Sequence, residues 1–157
     1  MSEIEVRIVK VDPMRVASVW GFGESPELIA YGKLLAWAKP KGLLDDCEKH
    51  RVFGFNNPNP SPGSPNYGYE YWITVGPDME PEGDVRILDF RGGLYAVARC
   101  EIQGDPAIIG ETWKLLDAWV AESAYRMSNH QWLEEHLNTE NILEGTWTMD
   151  LYYPITQ

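Results

Sequence analysis

The chain has 157 residues, 44% of them hydrophobic, enough for one compact core or for two small fused subdomains that share one. Its 24 acidic residues outnumber 13 basic ones and set a formal net charge of −11, so the surface lacks the cations that non-specific nucleic-acid binding needs. Two cysteines are too few for a disulfide framework, no CxxC or Cys/His cluster suggests zinc, and neither a signal-type apolar segment nor a membrane-length apolar run is present. The expectation is a cytoplasmic protein without metal, cofactor or membrane contact.

In chain order, residues 5–10 read as a first strand. A second strand begins at Met14 and carries Trp20 and Phe22 on one face. Ser25 and Pro26 then supply helix-start chemistry, an N-cap followed by proline at the first helical position, and the helix carries Lys33-Leu-Leu-Ala-Trp37. Residues 51–55 and 69–75 are strand-like and are separated by the proline-rich segment 56–66. Its prolines offer no N–H to a ladder, so it is expected to be a surface loop, a rim or a lid. Strand alternation splits Tyr69 and Tyr71 from Glu70 and Trp72.

The second half repeats the order. Residues 84–90 form a strand, Gly92-Gly93 is a hairpin signal, and a strand through Tyr95 leads to Asp105 and Pro106 at a second helix start. That helix carries Trp113, Lys114-Leu-Leu-Asp-Ala-Trp119, with Glu111, Lys114, Asp117 and Glu122 on a solvated face and Ile108, Leu115, Trp119 and Val120 on an apolar one. A short helix is expected over 130–137 and a terminal strand over 146–153. Laying Met14 over Leu94 aligns strand, proline helix start, Lys-Leu-Leu and Trp in both halves. The chain therefore reads as a duplicated unit with repeats near 1–80 and 81–157, in one α+β domain. Trp37 and Trp119 are expected in the core.

The feature that points to function is a set of carboxylates among large aromatics: Trp132, Glu134, Glu135 and His136, then Trp147, Asp150, Tyr152 and Tyr153. An unpaired carboxylate beside rings is costly to desolvate and calls for a cation or a proton as partner. A structural role for Asp150 requires a partner such as Arg99 or a backbone donor. No nucleophile elbow, His/Asp-paired nucleophile or metal-ligand spacing accompanies them.

Gly93-Leu-Tyr95-Ala-Val, Asp117-Ala-Trp119-Val-Ala-Glu122-Ser123-Ala-Tyr125, Leu133-Glu134-Glu135-His136 and Asp150-Leu-Tyr152-Tyr-Pro154-Ile stand in an order that resembles the GyrI-like family. That family also supplies the effector-binding domain of MerR-type and AraC-type multidrug-responsive regulators. The chain departs from its pattern at Ala124, where the family often has Gly, at His136 for Tyr, and at Asp150 for Glu. His136 adds a group expected to titrate near neutral pH.

The resemblance implies a pseudo-twofold pair of βαββ units with an antiparallel sheet, helices on one side and a ligand cleft at the junction. By position, Glu134 is the buried glutamate that meets a planar, lipophilic cation, with Asp150 and Tyr152 beside it. Trp132, Trp113, Tyr95, Tyr71, Tyr69, Trp20, Phe22 and His136 are the candidate lining. A stand-alone binding module for amphipathic cationic aromatics is the function implied. The family's other activities supply two alternatives, a hydrolase of strained-ring electrophiles using Glu134 and a gyrase-inhibiting protein interaction.

Overall fold

The computed structural model describes residues 4–46, 48–138 and 146–157, so Cys47 lies outside the described residues. Among the described residues there are nine strands and two α-helices, besides two short 3-10 turns after α1: β1 (Arg7–Val11), β2 (Met14–Gly23), α1 (Pro26–Ala38), β3 (Val52–Asn56), β4 (Tyr67–Thr74), β5 (Arg86–Phe90), β6 (Gly93–Gln103), α2 (Ala107–Glu122), β7 (Arg126–Met127), β8 (Leu133–His136) and β9 (Thr146–Thr156). The chain divides into two compact units, the first spanning residues 14–90 and the second residues 1–13 with 91–157.

Each unit has the same plan. In the first, antiparallel strands run in the order β3-β4-β2-β5, and in the second β8-β9-β6-β1, with β7 pairing the end of β9. The connectivity β2-α1-β3-β4 recurs as β6-α2-β8-β9, so the fold is α+β with a duplicated βαββ unit. Aromatic and β-branched residues fill β4 and β9, where pleated, half-buried surfaces suit them.

Strand alternation gives each sheet a helix face and a helix-free face. In the first unit Tyr71 lies 5.9 Å from Tyr31 of α1, and a Cβ added to Gly21 would lie 2.7 Å from the Pro26 carbonyl. Residues 17, 19, 21, 69, 71 and 73 therefore face the helix. In the second unit Ala96, Ala98, Cys100, Met149, Leu151, Tyr153 and Ile155 form a buried cluster with Leu116 and Val120 of α2. Trp37 is buried as expected, and Trp119 is half-buried against that cluster.

Four expectations change. The overlay of Met14 on Leu94 places Ser18 over Ala98, yet Ser18 lies on a helix-free face, bonded to Glu70, while Ala98 packs in the α2 core. The repeat is real but slips by one residue, and in a strand one residue exchanges the faces. Residues 133–136 are strand, not helix: eight residues give too few helical bonds to compete with a ladder on β9 that pairs Leu133 with Tyr152 and Glu135 with Asp150. Gly92-Gly93 is not a hairpin turn, because β5 pairs with β2 and β6 with β1 and β9. Gly92 has φ +79° and would place a Cβ 2.0 Å from the Val11 carbonyl, so the site admits glycine alone. Finally, the inward stripe of α2 is Thr112, Leu116 and Val120, whereas Ile108 and Leu115 are exposed.

The two helix starts are also unlike each other. Ser25 occupies the N-cap of α1 without a side-chain bond. Asp105 Oδ1 accepts the Ala107 amide at 3.0 Å, but α2 begins at Ala107 with Pro106 at the N-cap, one residue later than the expected start with Asp105 as cap and Pro106 as first helical residue.

Candidate functional site

The second unit sets Asp150, Glu135, Tyr95 and Tyr152 on the helix-free face. Register places Asp150 beside Arg99 of β6 and Glu135 of β8. Arg99 Nε donates to Asp150 Oδ1 at 2.8 Å, and Arg99 Nη2 and Arg7 Nη2 donate to Oδ2 at 3.2 and 2.8 Å. Burial works to raise the Asp150 pKa, but these hydrogen bonds and the two positive charges outweigh it and hold the carboxyl below its ordinary value. Asp150 is thus already answered within the chain, by Arg99, one of the partners the sequence offered, and by Arg7 as well.

Glu135 is 6% exposed and accepts the Tyr152 hydroxyl on Oε1 at 2.6 Å. Tyr152 meets Tyr95 edge-on at 5.4 Å, and Tyr95 meets the His130 ring at 4.8 Å. The Tyr95 hydroxyl donates to the Gln131 carbonyl at 2.5 Å, and burial raises its pKa. His130 Nε2 stands 2.8 Å from the Leu94 carbonyl, so that nitrogen carries a proton and anchors the loop before β8.

Glu134 and His136 point the other way. Strand alternation puts them on the α2 side, where the Trp113 indole donates to Glu134 Oε2 at 3.4 Å. Trp132 lies 5.4 Å from Trp113 and 4.5 Å from Tyr153. Burial and the hydrogen bond it donates to Asp117 push the Tyr153 hydroxyl up to about 12. Glu134 is only half-buried, so the buried member of the pair is Glu135; this inversion follows from the segment being a strand. Burial lowers His136 to about 3, so it stays neutral near pH 7 rather than titrating there.

In the first unit Tyr69 and Tyr71 are core residues on the α1 face, in edge contact at 5.0 Å, with Tyr69 closing over Gly54. On the helix-free face stands Glu70, 3% exposed, a residue that sequence reasoning named only as the neighbour of Trp72. Ser18 Oγ and Trp72 Nε1 donate to its Oε2 at 2.6 and 2.7 Å, and Asn57 Nδ2 donates to Oε1 at 3.0 Å. A lone acid in an aromatic strand was the available signal for it, the same signal that singled out Asp150. Trp20 and Phe22, 43% and 47% exposed, stack at 5.9 Å beside it. Trp20, Asn57, Pro58 and Glu70, with Lys33, Asp84 and Arg86, surround a cavity of about 460 Å³. Segment 56–66 thus lends two residues, Asn57 and Pro58, to its wall.

The candidate lining is therefore divided. Tyr95, Tyr152, Asp150, Trp20 and Phe22 lie on helix-free faces, whereas Glu134, Trp113, Trp132, His136, Tyr69 and Tyr71 lie on helix faces. Among the described residues no group of His, Cys, Asp and Glu is disposed to hold a metal ion. No helix among them is long and apolar enough to cross a membrane.

The family of integron-associated effector binding proteins, Cass2, matches residues 7–155. The chain belongs to that family. The fold of this Cass2-family chain is that of the C-terminal domain of EcmrR, with TM-score 0.70, 13% identity and 98% of each chain covered. Against EcmrR in its complex with DNA the same likeness spans 57% of that longer chain. The integron cassette protein VCH_CASS2 of Vibrio cholerae superposes with TM-score 0.59 at 11% identity over 96% of this chain and 95% of its own. SAV2435 bound to tetraphenylphosphonium does so with TM-score 0.51 at 11% identity, over 98% and 94%. No curated protein matches the chain. An effector-binding family with a GyrI-like fold implies a small-molecule ligand, which is the class of function that the sequence resemblance implied.

Proposed function

We propose that this Cass2-family protein senses or sequesters amphipathic, cationic aromatic small molecules on the helix-free face of its second unit, with Glu135 supplying the charge. The observation that carries the reading is the Glu135 carboxylate, almost fully buried and oriented by the Tyr152 hydroxyl at 2.6 Å, with the Tyr95 ring on the far side of Tyr152. A carboxylate in a low-dielectric setting favours a cation without imposing one hydrogen-bond geometry, and the electron-rich ring faces favour the same charge. The fold likeness to a protein bound to tetraphenylphosphonium points to the same ligand chemistry.

Tryptophan-fluorescence titration with tetraphenylphosphonium and with the neutral triphenylphosphine oxide tests this. The cation is expected to bind more tightly. Glu135→Gln keeps the acceptor for Tyr152 but removes the charge, and is expected to weaken the cation by about tenfold, the worth of one charged contact. Glu134→Gln is expected to leave it nearly unchanged. Equal affinity for cation and neutral compound, or a larger loss from Glu134→Gln, overturns the assignment.

A further inference from the structure

The cavity of about 460 Å³ in the first unit differs in character from the Glu135 face. It lies where β5 stops: Arg86 pairs with Ser18 at the end of that ladder, and β2 continues past it to Trp20. In place of a strand, Lys33 of α1 donates to the Trp20 carbonyl at 2.9 Å. The Trp20 indole Nε1 donates to the Asn57 carbonyl at 2.6 Å, which fixes the ring as one wall, and Pro58 adds an apolar surface.

The lining holds two acids and two bases, but their hydrogen-bonding capacity is used unequally. Glu70 accepts from Ser18, Trp72 and Asn57 on its two oxygens, so its charge is already solvated by the fold. The Asp84 side chain is 84% exposed and is screened by water. Arg86, with its side chain 61% exposed, approaches Glu70 only at 3.6 Å, and Lys33 approaches Asp84 only at 3.7 Å. A guanidinium has five N–H donors and an ammonium three, so both bases keep donors beyond these contacts.

We infer that this cavity is an anion site, taking a planar aromatic carboxylate whose ring lies against Trp20 and whose oxygens meet Arg86 and Lys33. Its volume falls within the range usual for small-molecule pockets, roughly 300–1,000 Å³. A fork-shaped guanidinium suits a carboxylate bidentately, and an exposed indole face suits a flat ring.

Calorimetric titration of the full chain with 2-naphthoate, 2-naphthamide and 2-naphthylmethylammonium separates the charge classes on one ring system. The expected order is naphthoate tightest, by about tenfold over the amide, and the ammonium weakest. Lys33→Gln and Arg86→Gln are each expected to cost naphthoate about tenfold while thermal unfolding shows both variants folded. Arg86 adjoins a buried carboxylate, so should Arg86→Gln fail to fold, Lys33→Gln decides. Glu135→Gln is expected to leave naphthoate unaffected, which separates this site from the cation face whatever happens there. Amide or ammonium binding as tightly as naphthoate, no naphthoate binding to the folded chain, or a loss seen with Glu135→Gln but not with Lys33→Gln overturns the inference.

Discussion

His136 lies on β8 opposite Met149, on the α2 side of the second unit and nearly without solvent contact. Burial holds its pKa near 3 in the native state, against about 6.5 in an unfolded chain. Between those values the unfolded chain binds a proton that the native state refuses, so stability falls as pH drops through that window, at about 1.4 kcal/mol per pH unit. From pH 7 to pH 5 the expected loss from this residue is roughly 2 kcal/mol, read by denaturant unfolding. His136→Gln is expected to remove that share of the slope, and a variant with an unchanged slope refutes it. The neighbouring glutamates show the limit of reading a site residue by residue. Four consecutive letters, Leu133 to His136, name two acids, but only the β8–β9 register tells which of them turns toward Tyr152 and which toward Trp113.

Glycine separates the requirements of the elements. Gly21 on β2 touches α1 so closely that an added Cβ would lie 2.7 Å from the Pro26 carbonyl and 2.8 Å from the Ala30 amide, both backbone atoms that cannot swing aside. Gly21→Ala is expected to lift the helix from its sheet and to cost about 1–3 kcal/mol. Gly32, on the exposed side of α1, has nothing within 4 Å of an added Cβ. Gly32→Ala is expected to stabilise the protein by up to about 1 kcal/mol through helix propensity and a less flexible unfolded chain. Thermal melts of the two variants check both signs, and a Gly21→Ala protein as stable as the parent removes the close-approach argument. The sequence located most of these elements, because proline, N-cap chemistry and aromatic runs act locally. It misplaced 133–136 and the stripe of α2, where a neighbouring strand or the packed sheet chooses among conformations that are locally close in energy.

At the scale of the molecule the formal charge of −11 acts over distances that no single contact reaches. It draws cations toward the chain and repels anions, and salt screens both effects, with a Debye length near 10 Å at about 0.1 M. By stopped-flow fluorescence, the association rate of tetraphenylphosphonium is therefore expected to fall as ionic strength rises from about 20 to about 200 mM, and that of 2-naphthoate to rise. Rates that ignore salt for both ligands would show that local contacts, not the whole-chain field, set capture.

By itself the sequence determined the α+β class, the recurrence of strand, helix, strand and strand in each half, the class of ligand-binding family, and the oddity of acids among aromatics. These follow from periodicity, turn chemistry and motif order, which depend on near neighbours in the chain. The tertiary structure alone decided that Arg7 joins Arg99 on Asp150, that Glu135 rather than Glu134 is the buried acid, and that Glu70 anchors a walled cavity beside Trp20. Each of those rests on strand register, and a shift of one residue in register exchanges the faces of a sheet without changing a single local preference.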